Sequence, residues 1–414
     1  MKNNYLNPVI AVLIFCFVQL ALICNIAAVE KTIARFSLTE PAGLTREVTY
    51  VEIPVQAEID PAVQDIVVID EQTPMPIPCQ VFDIRATKHD IIHSFRIIFP
   101  IALKANETKI VSINAVDSKI TQFESDLKIT GIGLDLQIEN EFFKADLRTL
   151  PEPEPKSHHS GQIRELVIKM GFNQLLTNTE DRVHWAPNFK RPELEYYTTI
   201  AHWESPKYYE TDTGPYLIQT KRQDSAPDHL EILLTAVYRF YAKLPYFRFY
   251  SSMRMVDDVW LELLRNDEMT MDSMFTHLAF QRPSGEIVDV KIEDRHDVLA
   301  ARPIEDNADW LCFYHIKKGF AFGTIRLKYD NTNAFGEESP TYLPHTQIGQ
   351  WLDRRYWNRR LIHDHLTFVP RGSRYVEENA YIVFKIDQHD TFKSIKTWDK
   401  QLRNPIRIAR VQEK

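Results

Sequence analysis

The stretch Glu231–Met255 reads EILLTAVYRFYAKLPYFRFYSSMRM. Apolar and polar residues alternate along it in two runs, Leu230–Tyr241 and Tyr246–Met255, which is the period of half-buried strands. Further β-rich runs lie on either side, at Ile163–Lys169, Tyr196–Trp203, Tyr216–Lys221, Phe313–Phe322, Thr324–Tyr329 and Ala380–Phe384. An earlier group, Val48–Val55, Ile66–Ile69, Ile91–Phe99 and Lys109–Ile113, is separated by Pro, Asp and Asn, and predicts a small antiparallel sandwich of its own.

Between the two groups, Ile129–Asp146 carries strands. The segment holding Pro151, Pro153, Pro155, Lys156, Ser157, His158 and His159 cannot be a strand interior, because each proline removes a ladder donor. It reads as an exposed loop within a hairpin. One helical candidate interrupts the pattern at Asp257–Arg265, where Val259, Leu261 and Leu263 leave the period open. The charged end, residues 385–414, predicts a short helix followed by a strand. The expected fold class is therefore all-β. A small N-terminal β-sandwich over 29–125 precedes a large antiparallel β domain over 126–414.

Composition excludes several classes. The chain has 414 residues, is 44% hydrophobic and 26% charged, and has 23 Pro against 12 Gly, a globular balance that rules out a collagen, a coiled coil or a disordered chain. Its net charge of −8 argues against a general nucleic-acid binder. Residues 1–28 run from Lys2 through the apolar stretch Pro8–Leu22 to Ala27 and Ala28, the order of a secretory signal peptide. The apolar stretch, about 15 residues, falls short of the roughly 20 that span a bilayer. A secreted or periplasmic protein is expected, touching a membrane only through that segment. Without it Cys79 and Cys312 remain, far apart in sequence and read as buried free thiols.

Three stretches together resemble the supersandwich of galactose mutarotase-like carbohydrate enzymes. Leu136–Leu147 (LQIENEFFKADL) with Ser160–Lys169 (SGQIRELVIK) resembles its opening hairpin, Glu231–Met255 its paired central strands joined at Leu244 and Pro245, and Val369–Phe384 (VPRGSRYVEENAYIVF) its closing hairpin. The N-terminal phrase Pro41–Val55 and the tetrapeptide Ile77–Gln80 are similar to secreted exo-acting rhamnogalacturonan lyases, although this chain is much shorter than those enzymes. The resemblance implies a carbohydrate-active β-supersandwich protein.

Three segments mix groups that suit sugars, with aromatic faces for stacking and Arg or Asn for the polar edge. Asp181–Asn188 (DRVHWAPN) offers His184, Trp185 and Asn188. Ile200–Glu204 (IAHWE) offers His202 and Trp203. Gln350–Arg360 (QWLDRRYWNRR) offers Arg354, Tyr356, Trp357 and Arg359. The bland alternative for each is core plus surface, with Asp353 and Asp364 pairing the arginines. His363 and His365 alternate without a third ligand in view, so no metal and no cofactor is expected. Phosphate-cradling Gly loops, CxxC pairs, HExxH and GxSxG are absent from the sequence.

The leading functional expectation is a polysaccharide lyase that cleaves a uronate-containing glycan by β-elimination. Arg354, Arg359 and Asn188 would clamp the carboxylate, His184 or His202 would take the proton, and Tyr356 would donate one to the leaving oxygen. Trp185, Trp203 and Trp357 would stack on the sugar. The alternatives are a mutarotase or glycoside hydrolase on the same fold, using a carboxylate such as Glu204 or Asp212, and a non-catalytic carbohydrate-binding protein.

Overall fold

A computed structural model describes residues 31–412, apart from 60–64, 74–75, 87–90, 117–124, 149–159, 178–182, 203–205, 227–228, 295–303, 343–344 and 352–353. Among the described residues the chain forms five antiparallel sheets and one α-helix. It divides into two units, Met1–Phe123 with Ile406–Lys414, and Glu124–Pro405.

The first unit is a small sandwich. One sheet runs in the order Arg407–Arg410, Lys31–Thr39, Thr108–Val116, Asp65–Asp70, Pro76–Ile77, and the other in the order Arg46–Ile59, Ile92–Leu103, Gln80–Ala86. Alternation aims Leu38, Val68, Val111 and Ile113 of one sheet at Val51, Ile53, Ile97 and Phe99 of the other, and all eight are buried. The last strand of the chain pairs with the first described one, Phe36 opposite Arg410, so the two ends of the described chain meet in one sheet. Glu40 is buried in the turn after Lys31–Thr39. It accepts the backbone N–H groups of Ala42 and Leu44, each at 3.0 Å, and an ion pair from Arg46 at 2.8 Å.

The second unit is built on a nine-stranded sheet. Its order is Tyr208–Thr213, Leu217–Ala226, His229–Tyr241, Tyr246–Met255, Arg374–Lys385, Phe320–Asp330, Trp310–His315, His277–Gln281, Ile287–Lys291. The two strands of the Glu231–Met255 stretch pair from Ile232–Met255 to Phe240–Phe247, with the turn between them. Lys243 takes a φ of 55° there, the left-handed conformation that closes a tight connection.

Two smaller sheets pack on one face of the large one. The five-stranded sheet, Gln174–Thr177 to Lys128–Ile132, inserts Phe143 against Phe240 and Phe247. The six-stranded sheet runs Thr198–Thr199, Asn188–Lys190, Val259–Met271, Arg354–Val369, His345–Trp351, Ile304–Glu305, and sends Trp357 against Phe313 and Phe322. The helix Lys393–Arg403 covers the opposite face, where Phe392 and Trp398 meet Trp310, Tyr314 and Tyr246.

One sequence expectation is corrected. The helical candidate Asp257–Arg265 is the start of the strand Val259–Met271. Val259 and Leu261, two apart, are buried in the core against the large sheet, a bulge before Leu263 then brings Leu264 rather than Leu263 into that core, and this burial selects a strand. The run Tyr196–Trp203 is also shorter as a strand than expected, only Thr198–Thr199, and passes into a single 3-10 turn at Ile200–His202. Cys79 and Cys312 are free thiols, Cys312 buried as expected and Cys79 only half-buried, and loss of solvent pushes both upward, Cys79 to about 12. Among the described residues no helix is long and apolar enough to cross a membrane.

Candidate functional site

The residues singled out in the sequence fall into two groups, because strand alternation separates neighbours. Along Arg354–Val369, Trp357 and Arg359 point between the six- and nine-stranded sheets, whereas Tyr356 and Asn358 occupy the other face. Tyr356 lies directly over Gly349 on the adjacent strand, where a β-carbon would come within 2.0 Å of its ring. Arg354, at the start of the strand, is buried.

The inward group belongs to a buried polar layer. A bulge creates it: Asn266 pairs with Arg359 and Met269 with Trp357, so that Asp267 and Glu268 together face the single residue Asn358. Asp267 takes a φ of 48°, and its carboxylate turns into the sandwich. One of its oxygens accepts the Trp357 indole N–H and the Tyr381 hydroxyl, both at 3.1 Å, and the other accepts Arg326. Arg359 donates to Glu377 at 3.0 Å and to the carbonyl of Asp306 at 2.8 Å, and its guanidinium lies 4.7 Å over the Tyr329 ring. Burial lifts Glu377 above the usual carboxylate range, while Arg359 pulls the other way.

His184 sits at the edge of this layer, bridged to Met269 and buried. Its Nδ1 meets the Tyr238 hydroxyl, and its ring stands edge-on to Phe249 at 4.4 Å and Tyr381 at 5.4 Å. Burial drives its pKa down to about 3, so the imidazole is neutral at ordinary pH. Asn188 donates to Glu268 at 3.3 Å, and Asn358 reaches the same oxygen at 3.1 Å. Burial raises Glu268, and Arg265 partly offsets that. Trp185 is half-buried, its backbone N–H on the Glu268 carbonyl at 3.2 Å.

Of the remaining candidates, His202 closes the 3-10 turn. Trp203, Glu204, His158, His159, Asp181 and Asp353 lie outside the described residues, as do the side chains of His202, Trp351 and Asp364. Asp212 is on the edge strand Tyr208–Thr213, holding Gln219 at 3.0 Å. His363 contacts Arg360, and His365 stacks on Tyr342 at 3.7 Å. Among the described residues no group of three or more His, Cys, Asp or Glu converges as a metal site.

The solvent-facing feature of this unit lies elsewhere. The register sets Trp260 opposite Phe368 on the outer face of the six-stranded sheet, with ring centroids 5.2 Å apart. Both stay open, Trp260 at 50% and Phe368 at 42% exposure, and Leu366 beside them at 57%. They border a concavity of about 500 Å3, whose other walls are Arg191, Pro192, Glu193, Glu231, Asp257 and Asp258. Arg191 is held between Glu193 and Glu231, the latter at 3.4 Å. Asp257 and Asp258 are exposed, and Asp258 accepts the Arg371 backbone N–H at 2.8 Å. Single exposed apolar residues are ordinary and contiguous ones are not, which makes this face the candidate binding surface.

Sequence reading missed Trp260 and Phe368. The signal was present in the alternation of Val259, Trp260, Leu261 and Glu262, but only strand geometry reveals which side of it faces water. A second concavity, of about 350 Å3, is lined by Phe142, Met170, Pro245 and Trp398. Its half-buried indole is packed on Tyr246 at 5.3 Å, leaving less open aromatic surface than Trp260 offers.

Two solved structures are similar to this chain over 92% of its length. One is described as a protein in glycosyl hydrolase family 38 from Enterococcus faecalis, with a TM-score of 0.54, 11% identity and 47% of that chain covered. The other is an α-mannosidase from Enterococcus faecalis V583, with a TM-score of 0.54, 10% identity and 46% covered. This chain therefore spans about half the length of either. Neither is described as a rhamnogalacturonan lyase. No family model and no curated protein matches the sequence. At such identity the likeness establishes the fold, an all-β antiparallel sandwich, and no more.

Proposed function

We propose that this is an exported saccharide-binding protein whose ligand lies on the Trp260 and Phe368 platform. The observation that carries the reading is the exposed aromatic pair beside a concavity walled by carboxylates and one guanidinium. A pyranose presents an apolar C–H face and a rim of hydroxyls. The indole and phenyl rings take the face, and the carboxylates accept hydrogen bonds from the rim. The fold likeness to two carbohydrate-processing proteins supports the same ligand class. Export rests on the residue order of segment 1–28.

In the lyase reading His184 or His202 takes the proton, and the side chain of His202 lies outside the described residues. His184 is buried and far less basic than an ordinary imidazole, which makes it a weak proton acceptor. Saccharide binding on the aromatic platform is the reading put forward.

Calorimetric titration with a panel of neutral and uronate-containing oligosaccharides tests it. Trp260→Ala should weaken binding by about tenfold or more, in line with aromatic hot spots, and leave the melting temperature unchanged because the side chain is half exposed. Absorbance of each mixture near the band of an unsaturated uronate should stay flat. No binding by any saccharide, or full affinity in Trp260→Ala, would overturn the proposal, and a rising absorbance would restore the lyase.

A further inference from the structure

Resting on the saccharide reading, we propose that this groove prefers glycans bearing free amino groups, such as oligomers of glucosamine, over neutral glycans, and neutral glycans over uronates. Among the described residues its charged lining is Glu193, Glu231, Asp257 and Asp258 with one cation, Arg191. Arg191 is already engaged by Glu193 and Glu231, so its charge is spent within the protein. Asp257 and Asp258 stay exposed in the lining, and the groups bound to them are backbone N–H donors, from Asp258 at 2.9 Å and from Arg371 at 2.8 Å. The neighbouring Lys190 is paired with Glu262 at 3.1 Å and adds no net charge.

A sugar stacked on Trp260 and Phe368 directs its equatorial substituents sideways, toward the walls of the groove. An ammonium there supplies three donors to groups that only accept, and its charge is of the favourable sign. A uronate at the same place sets carboxylate against carboxylate, and the guanidinium of the described lining, Arg191, is already paired. This reverses the preference for uronates that the arginine-rich segment 350–360 suggested, because Arg359 faces the interior of the sandwich.

The test compares glucosamine oligomers, their N-acetylated forms and oligouronates of equal length by titration with the full chain. Exposed pairs gain little individually, so the two free carboxylates predict an advantage of about fivefold for the amine over its acetylated form at low salt. That advantage should shrink toward unity near 1 M salt, where screening acts within about 3 Å. Asp257→Asn with Asp258→Asn should abolish the advantage by lowering the affinity for the amine more than that for the acetylated form, with an unchanged melting temperature confirming the fold.

Equal affinity for amine and acetylated oligomers, or tighter binding of uronates, would overturn the preference and leave the saccharide reading intact. Binding of oligolysine more tightly than any glycan would overturn it in favour of a basic peptide. Failure of every glycan to bind would defeat the underlying reading as well.

Discussion

Asp267 and Arg326 join the two sheets of the large sandwich: the guanidinium Nη2 stands 2.9 Å from the carboxylate, and both side chains are buried. Neither group could be left alone there, because an unpaired charge in the interior costs far more than a paired one. Asp267→Asn should destabilise the protein by about 3–5 kcal/mol, and Asp267→Leu with Arg326→Met should not recover that loss, because the Trp357 indole N–H and the Tyr381 hydroxyl stay buried without their acceptor. Urea denaturation midpoints measure both, and an Asp267→Asn variant as stable as the parent would refute the pairing.

The buried imidazole predicts a pH dependence. With its folded pKa near 3 and an unfolded value near 6.5, His184 takes up its proton only in the unfolded chain as the pH falls between those values. Stability is therefore lost on going from pH 6.5 toward 3, at a slope of about 1.4 kcal/mol per pH unit from this residue. His184→Phe should remove that share of the slope. Denaturation curves at pH 7, 6 and 5 decide the matter, and identical slopes in the two proteins would rule it out.

Glu40 acts in the same direction, losing stability as the pH falls, but in a lower pH window. Burial alone would raise its pKa, but the Arg46 hydrogen bond and the N–H groups of Leu44, Asn106 and Ala42 bring it down to about 2. Its stabilisation is present above the unfolded carboxylate value of about 4.3 and is lost as the pH falls through 2. Removing the charge by Glu40→Gln should cost the small sandwich about 3–5 kcal/mol at pH 7, since Arg46 then stays buried without its partner. A melting curve of the variant, read at pH 7 and pH 3, should show the difference from the parent narrowing in acid.

Gly323 is needed for contact between strands. A β-carbon there would lie 2.6 Å from the Leu311 carbonyl oxygen and 2.7 Å from Cys312 Cβ on the paired strand. Backbone cannot move aside as a side-chain tip can, so Gly323→Ala should cost about 1–3 kcal/mol or more through overpacking. Soluble expression with an unaltered melting temperature would contradict this.

The platform gives a prediction that separates its two rings. Phe368→Ala should weaken neutral glycan binding less than Trp260→Ala, and the pair should couple by about 0.5–1.5 kcal/mol in a double-mutant cycle. Full additivity would mean that the rings act on the ligand independently.

Much of the architecture was legible in the residues. The alternation of Glu231–Met255 gave two paired strands with a turn near Leu244 and Pro245, and the charged end of the chain gave a helix and a strand, found at Lys393–Arg403 and Arg407–Arg410. Period-two alternation says that a segment has an inside and an outside, and burial of apolar area makes that pattern decisive. It went astray at Asp257–Arg265, where three apolar residues two apart were not enough to exclude a helix before the large sheet was present to cover Val259 and Leu261.

What tertiary structure alone decided is which side of each strand meets water and which meets another sheet. Arg354, Tyr356, Trp357 and Arg359 look like one cluster along the chain, yet the pleat sends Trp357 and Arg359 inward and Tyr356 outward. Trp260 and Phe368, more than a hundred positions apart, become neighbours only through the register of two strands. Local sequence sets the period of side chains. The partners that turn one face into core and leave the other open come from distant parts of the chain, and no short stretch contains them.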